Sequence, residues 1–139
     1  MATTYESAGV ATSVMAKTLI GLNAVSRTYN VASAFAINDV VKMVKVPKGA
    51  KILDIILACG ELDTGSNSLT LSVGDDTDAA RFISASTVGQ AGGVTRLAVA
   101  AGVNYVYTAE STINVKAAAA ANALSAAADL TLSVIYELP

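Results

Sequence analysis

Residues 44–60 read VKVPKGAKILDIILACG, a strand, a tight turn and a second strand. Pro47 fixes φ and removes an amide donor, and Gly49 admits conformations closed to other residues, so Pro47-Lys48-Gly49 separates two apolar runs as a turn. From Lys51 onward the odd positions Leu53, Ile55, Leu57 and Cys59 make one apolar face. The even face carries Ile52, Ile56 and Ala58 with a single charge, Asp54. A strand at a solvated surface alternates more cleanly than this. The reading is a central strand whose second face is covered by another sheet, another segment or another subunit. Asp54 on that face must then reach solvent or find a donor.

Working outward, β signals continue on both sides. Segments 31–37 and 40–46 are rich in β-branched residues and are separated by the turn pair Asn38-Asp39. Segment 61–67, with Asp63, Gly65 and Asn67, reads as an exposed loop. Leu69, Leu71 and Val73 then alternate with Thr70 and Ser72 as a half-buried strand. Further strands are expected over 81–86, with Phe82 or Ile83 inward, and over 95–101. Strand 104–110 would place Tyr105 and Tyr107 on one face, followed by 111–116 and 129–138. About eight short strands with turns every 8–12 residues indicate an all-β sandwich or barrel. The alanine-rich run KAAAAANALSAAAD at 116–129 favours a helix by propensity. With Leu124 as its one apolar anchor, it reads instead as a long hairpin connection over 117–128, with room for a helical turn.

The first 27 residues differ, being weakly periodic and rich in Ala, Thr and Ser, with one apolar cluster at Leu19, Ile20 and Leu22. Met15, Leu19 and Leu22 share a face at helical spacing, but Gly9 and Gly21 limit a helix. An extended N-terminal arm over 1–27, held by a neighbour or by the domain edge, is preferred to a helix over 12–22 packed on the domain's own core; a free tail is a further option. The β domain then occupies 28–139. A chain of 139 residues suits one core.

Composition bounds the function. Apolar residues make up 53% and charged residues 14%, against roughly 25% charged in ordinary soluble domains. A surface of small uncharged groups fits coverage by partners. The nine cations are scattered and the net charge is −2, so no basic stripe exists for nucleic acid. The start lacks a basic segment followed by an apolar run, and segment 8–25 contains Lys17 and Asn23, which argues against a signal peptide and a membrane span. Synthesis in a cytoplasm is expected.

Few residues invite chemistry. The chain has no histidine, which removes the usual general base and zinc ligand. Cys59 reads as a small core residue on a strand face. The acidic turn Asp75, Asp76 and Asp78 could hold calcium, but lacks the full loop pattern; a capped turn with Arg81 paired to Asp78 is preferred. Gly89 to Gly93 lacks the lysine of a phosphate loop and reads as a connection. Tyr105 and Tyr107 could stack on a sugar, though packing is the simpler role. No enzyme, cofactor or metal is expected.

The run from Val40 to Ile83 resembles a pattern in virion proteins of tailed bacteriophages. There a Pro-Lys-Gly-Ala turn leads to an "I-x-D" strand and a "VGD-x-x-D-x-x-RFI" segment, matched here by Pro47 to Lys51, Ile52 to Asp54, and Val73 to Ile83 with Asp78, Arg81 and Phe82. The resemblance covers roughly residues 38–86, with an echo in LTLSVIYEL near the end. It implies a jelly-roll-like antiparallel β-sandwich of the capsid decoration or cement type, bound to the major capsid protein on the virion surface. A homo-oligomer is expected, a trimer first and a dimer second. The alternatives are a carbohydrate-binding or host-attachment module, or a neck or tail component. Candidate interface residues are Leu19, Ile20, Leu22, Tyr29, Asp54, Tyr105 and Tyr107.

Overall fold

The computed structural model describes residues 2–7 and 21–139. Two sheets pack face to face. The strands in chain order are β1 (Thr4–Glu6), β2 (Gly21–Val31), β3 (Val40–Val46), β4 (Lys51–Cys59), β5 (Thr70–Gly74), β6 (Ile83–Ser86), β7 (Gly93–Arg96), β8 (Ser111–Ala119) and β9 (Ala128–Leu138). A single helical turn, α1 (Val88–Ala91), joins β6 to β7. One sheet has the order β1-β3-β8-β5-β6 and the other β2-β9-β4-β7.

Pairing is nested. β2 pairs with β9, β3 with β8, β4 with β7 and β5 with β6, all antiparallel. The β4–β9 and β5–β8 ladders then knit these pairs into two four-stranded sheets. This arrangement is a jelly roll, as expected. The three-residue β1 is added outside it, parallel to β3.

The apolar character of β4 on both faces has a local cause. Ile52 pairs with Tyr136 and Asp54 with Ile135, so Leu53 is an extra residue, a β-bulge. The bulge inverts the alternation. Ile52, Ile55 and Leu57 all point into the core at 0% exposure, although their parities differ. Leu53, Asp54, Ile56 and Ala58 are left half-buried on the outer side. A similar shift in β3 buries Met43 and Val44 in succession. Between the sheets these side chains meet Leu71, Val73, Ile113, Val115, Leu130, Leu132, Val134 and Tyr136, all within 1% of full burial. At roughly 25 cal/mol per Å² of apolar area, this layer is the dominant source of stability.

The Pro47-Lys48-Gly49 turn is formed, with Gly49 at φ +89°, and Asn38 takes a left-handed φ of 69° in the Asn38-Asp39 turn. Several expectations change. Segment 32–37 is a loop after β2, because Asp39 accepts from Ala36 N at 2.9 Å and closes a turn there. The alanine-rich run forms no helix and no hairpin. Its first residues extend β8 to Ala119, and 120–127 cross from one sheet to the other before β9. Segment 104–110 forms only one bridge, Lys51 with Val106. Segment 61–67 is anchored, since Leu62 and Asp63 are fully buried. Cys59 ends β4 opposite Leu130 and packs against the core, where burial pushes its thiol up to about 11. The boundary between 27 and 28 falls inside β2, and the helix considered over 12–22 lies mainly outside the described residues.

Candidate partner interface

The outer face of the β2-β9-β4-β7 sheet is built from cross-strand rows. Ala24 lies beside Ile135 and Asp54; Ser26 beside Ser133, Ile56 and Arg96; Thr28 beside Thr131, Ala58 and Val94. Hydroxyls tie the β2–β9 seam, Ser26 to Ser133 and Thr28 Oγ1 to Thr131 Oγ1 at 2.8 Å. Asn30 Nδ2 donates to Asp129 Oδ1 at 2.9 Å. The centre of this face is uncharged and made of small or aliphatic groups. Around that centre Asp54 on β4 pairs with Arg96 on the edge strand β7, Lys51 pairs with Glu137 at 3.8 Å, and Asp129 is held by Asn30. Leu22 and Val94, 70% and 65% exposed, stand near opposite corners. Such a face suits contact with another protein, which loses little by desolvating it.

The expected interface residues are dispersed. Leu19 and Ile20 lie outside the described residues. Leu22 is on the outer face of β2. Tyr29 points inward from β2 and stacks on Tyr5 at 5.6 Å between ring centroids; burial, then the neighbouring Tyr5, raises its pKa. Tyr5 also meets Phe35 edge-on at 6.2 Å, so residues 2–7 dock through their own aromatic contact. Asp54 needs no donor from a neighbour, since Arg96 of its own chain supplies one.

Tyr105 and Tyr107 belong to a polar clasp at one end of the sandwich. They touch in a T-shape at 5.0 Å, the Arg81 guanidinium lies 4.0 Å from the Tyr105 ring centre, and the Tyr107 hydroxyl donates to Asp75 Oδ2 at 2.7 Å. Asp75, 4% exposed, also takes Arg81 Nε at 2.6 Å, Thr77 Oγ1 at 2.7 Å and the amides of Thr77 and Asp78 at 3.0 Å. Arg81 is therefore paired to Asp75, not to Asp78, whose carboxylate caps Ala80 N at 3.1 Å. Burial alone would raise the Asp75 pKa; Arg81, Thr77, Tyr107 and Asp78 N outweigh it and hold the carboxyl well below the usual range. Burial, then Asp75, pushes the Tyr107 phenol far up. Gly74 is required at the base of this turn, because a Cβ there would collide with Asp78 O.

A second buried carboxylate was not singled out in the sequence. Asp63 Oδ1 accepts from Gly65 N at 3.1 Å and Asn122 N at 3.0 Å, and Oδ2 from Ser68 N at 2.8 Å and Leu69 N at 3.0 Å. It pins the alanine-rich crossover to the 61–69 segment. Burial works against its ionised form, but the four amides prevail and depress its pKa. The available signal was an aspartate two residues before glycine, the pattern of an Asx turn; its long-range partners leave no local trace.

No protein-family model matches the sequence, and no curated protein matches it. Among solved structures, a chain of the cyanophage Pam1 capsid asymmetric unit is 26% identical, with a TM-score of 0.77 over 91% of this chain and 92% of that one. A chain of the capsid of Ralstonia phage GP4 is 24% identical, with a TM-score of 0.79 over 98% of both. A chain of the acid-stable capsid of Helicobacter pylori bacteriophage KHP30 is 20% identical, with a TM-score of 0.55 over 85% and 94%. The class defined by the fold is the eight-stranded jelly roll. All three share this fold, and the similarity to the chain of the cyanophage Pam1 capsid asymmetric unit bears out the reading of a phage virion structural protein.

Proposed function

We propose that this jelly roll binds the outside of a phage capsid and cements or decorates adjacent major capsid protein subunits. The observation that carries the proposal is the uncharged patch of Ser26, Thr28, Ile56, Ala58, Thr131 and Ser133 on the outer face of the β2-β9-β4-β7 sheet. The likeness to chains of phage capsid structures supports the virion setting. The role is structural and non-enzymatic, in a particle assembled in the host cytoplasm. The protein acts as a homo-oligomer, a trimer first and a dimer second, so that a modest contact is repeated over the shell and gains by multivalency. Glycan stacking is less well supported, because Tyr107 is buried and Arg81 covers the Tyr105 ring.

The test is binding of purified protein to shells that lack it. Wild type should saturate the shell and delay its thermal rupture, whereas Thr131→Arg should leave the fold intact and abolish binding. Shells of equal heat resistance with and without the protein, or labelling confined to the tail, would defeat the proposal.

A further inference from the structure

Among the described residues, three of the four sheet edges end in short strands, β1 of three residues and β6 and β7 of four each. Strands that short offer little to a foreign chain. The fourth edge is β2, whose eleven residues pair with β9 in an unbroken register. It carries no proline and no bulge, and its one charge is Arg27. It therefore lacks most of the devices that keep an open edge from pairing.

The backbone groups along that edge follow from the ladder. Gly60 N donates to Asp129 O at 3.1 Å, so Asp129 bonds toward β4, and successive residues of a strand turn their N–H and C=O to opposite neighbours. Leu130, Leu132, Val134, Tyr136 and Leu138 therefore bond toward β2, where they meet Tyr29, Arg27, Val25, Asn23 and Gly21. Leu22, Ala24, Ser26, Thr28 and Asn30 turn their N–H and C=O to the open edge. The side chains agree. Thr28 Oγ1 and Thr131 Oγ1 meet at 2.8 Å, as the closer, non-hydrogen-bonded pairs of a ladder allow. Arg27 Nη1 donates at 2.9 Å to Ser26 O, a carbonyl that β9 leaves unused. All five residues are exposed, and among the described residues nothing else bonds to their backbone groups.

We propose that β2 pairs with β2 of a second copy, antiparallel about a twofold axis, so that two four-stranded sheets become one continuous sheet. The edge is complementary to itself. The register that uses the whole strand puts the axis at Ser26, sets Ser26 against Ser26 and Ala24 against Thr28, and gives every outward N–H an outward carbonyl. Ser26 O keeps a second lone pair for this ladder, so Arg27 need not let go. Arg27 lies opposite Val25 of the second copy, so like charges do not face each other. The row that joins Ser133 to Ser26 continues across the axis, and the uncharged patch becomes continuous over both copies. Such a contact is isologous and closed. It sharpens the homo-oligomer of the proposed function by putting the dimer ahead of the trimer, and its test uses no shell, so it fails separately from the cementing role.

Sedimentation equilibrium of the full chain at micromolar concentration should show a dimer. Ala24→Pro removes an outward N–H and no bond to β9, a change that edge strands tolerate. Its melting should stay cooperative while the dimer dissociation constant rises about tenfold or more, since each dimer loses two hydrogen bonds. In a Cys59→Ser background, Ser26→Cys sets the two introduced thiols opposite each other at a Cα separation of about 5.5 Å, which a disulfide spans. Mild oxidation should then give a covalent dimer. Leu22→Cys in the same background holds the thiols about 27 Å apart, eight residues along the strand, and should stay unlinked. A wild-type monomer or trimer, a dimer that folded Ala24→Pro leaves unweakened, or a Ser26→Cys chain that links no better than Leu22→Cys would overturn the pairing.

Discussion

Replacing Asp75 with alanine removes the acceptor on which Arg81 and Tyr107 converge at 2.6 and 2.7 Å. Breaking a buried ion pair from one side costs about 3–5 kcal/mol. Arg81 keeps 16% of its side chain exposed and recovers some hydration, which favours the lower end. The Tyr107 hydroxyl, in a residue 5% exposed, adds an unmade buried donor worth about 1 kcal/mol or more. The expected loss is about 4 kcal/mol. For 139 residues, at about 2.1 cal/mol/K of unfolding entropy per residue, this lowers the melting temperature by about 14 °C. Urea unfolding at pH 7, followed by circular dichroism, measures the free energy, and calorimetry measures the temperature. The decisive variant adds Arg81→Met and Tyr107→Phe to Asp75→Ala. If the single change is costly because it strands donors, removing those donors returns part of the loss. A triple variant less stable than the single one would refute the reasoning.

The carboxylates set the acid limit. Asp63 and Asp75 have pKa values depressed by folding, so the unfolded chain binds more protons at low pH. Their contribution is complete above the ordinary aspartate value of about 4 and declines as pH falls below it; urea midpoints should be flat from neutral to about pH 5 and fall below, less steeply for Asp75→Asn. Asp63→Ala should lower the melting temperature and speed hydrogen exchange at Leu69, Asn122 and Ala123 before other amides. Asp54→Ala should cost no more than about 1 kcal/mol by denaturant titration, because Arg96 is 64% exposed and the pair is screened. Cys59, with its thiol pushed up to about 11, should react with a disulfide reagent far more slowly in the native state than in urea.

The strands that carry plain alternation were legible in the sequence: Leu71 and Val73 in β5, Ile113 and Val115 in β8, and Leu130 to Leu138 in β9 all occupy their expected positions. The turn at Pro47 to Gly49 was legible because proline and glycine act locally. β4 misled by parity. Its bulge depends on the register against Tyr136 and Ile135, some eighty residues away, so an inverted alternation read as a strand covered twice. Tyr105 and Tyr107 followed the strand pattern without being a strand, since their backbone bonds go to Gly49, Ala50, Ile52 and Gly102 and not to a continuous ladder. The carboxylate clasps escaped for the same reason. Asp63 looks like any loop aspartate until the fold brings Asn122 to it, and the acidic turn did not reveal which of its members Arg81 would choose.

The nesting of strand pairs also orders events in time. β9 sits between β2 and β4, and its ladder with β2 runs over eleven residue pairs, joining positions such as Ser26 and Ser133 that are 107 residues apart. Closing so long a loop is slow, and neither neighbour can complete its sheet until β9 has been made. During synthesis β2 and β4 therefore wait with open edges and apolar faces, the state in which strands pair with the wrong partner. The yield of soluble protein should be governed by how long that wait lasts, and slow translation of the last third of the chain should cost more soluble product than slow translation of the first.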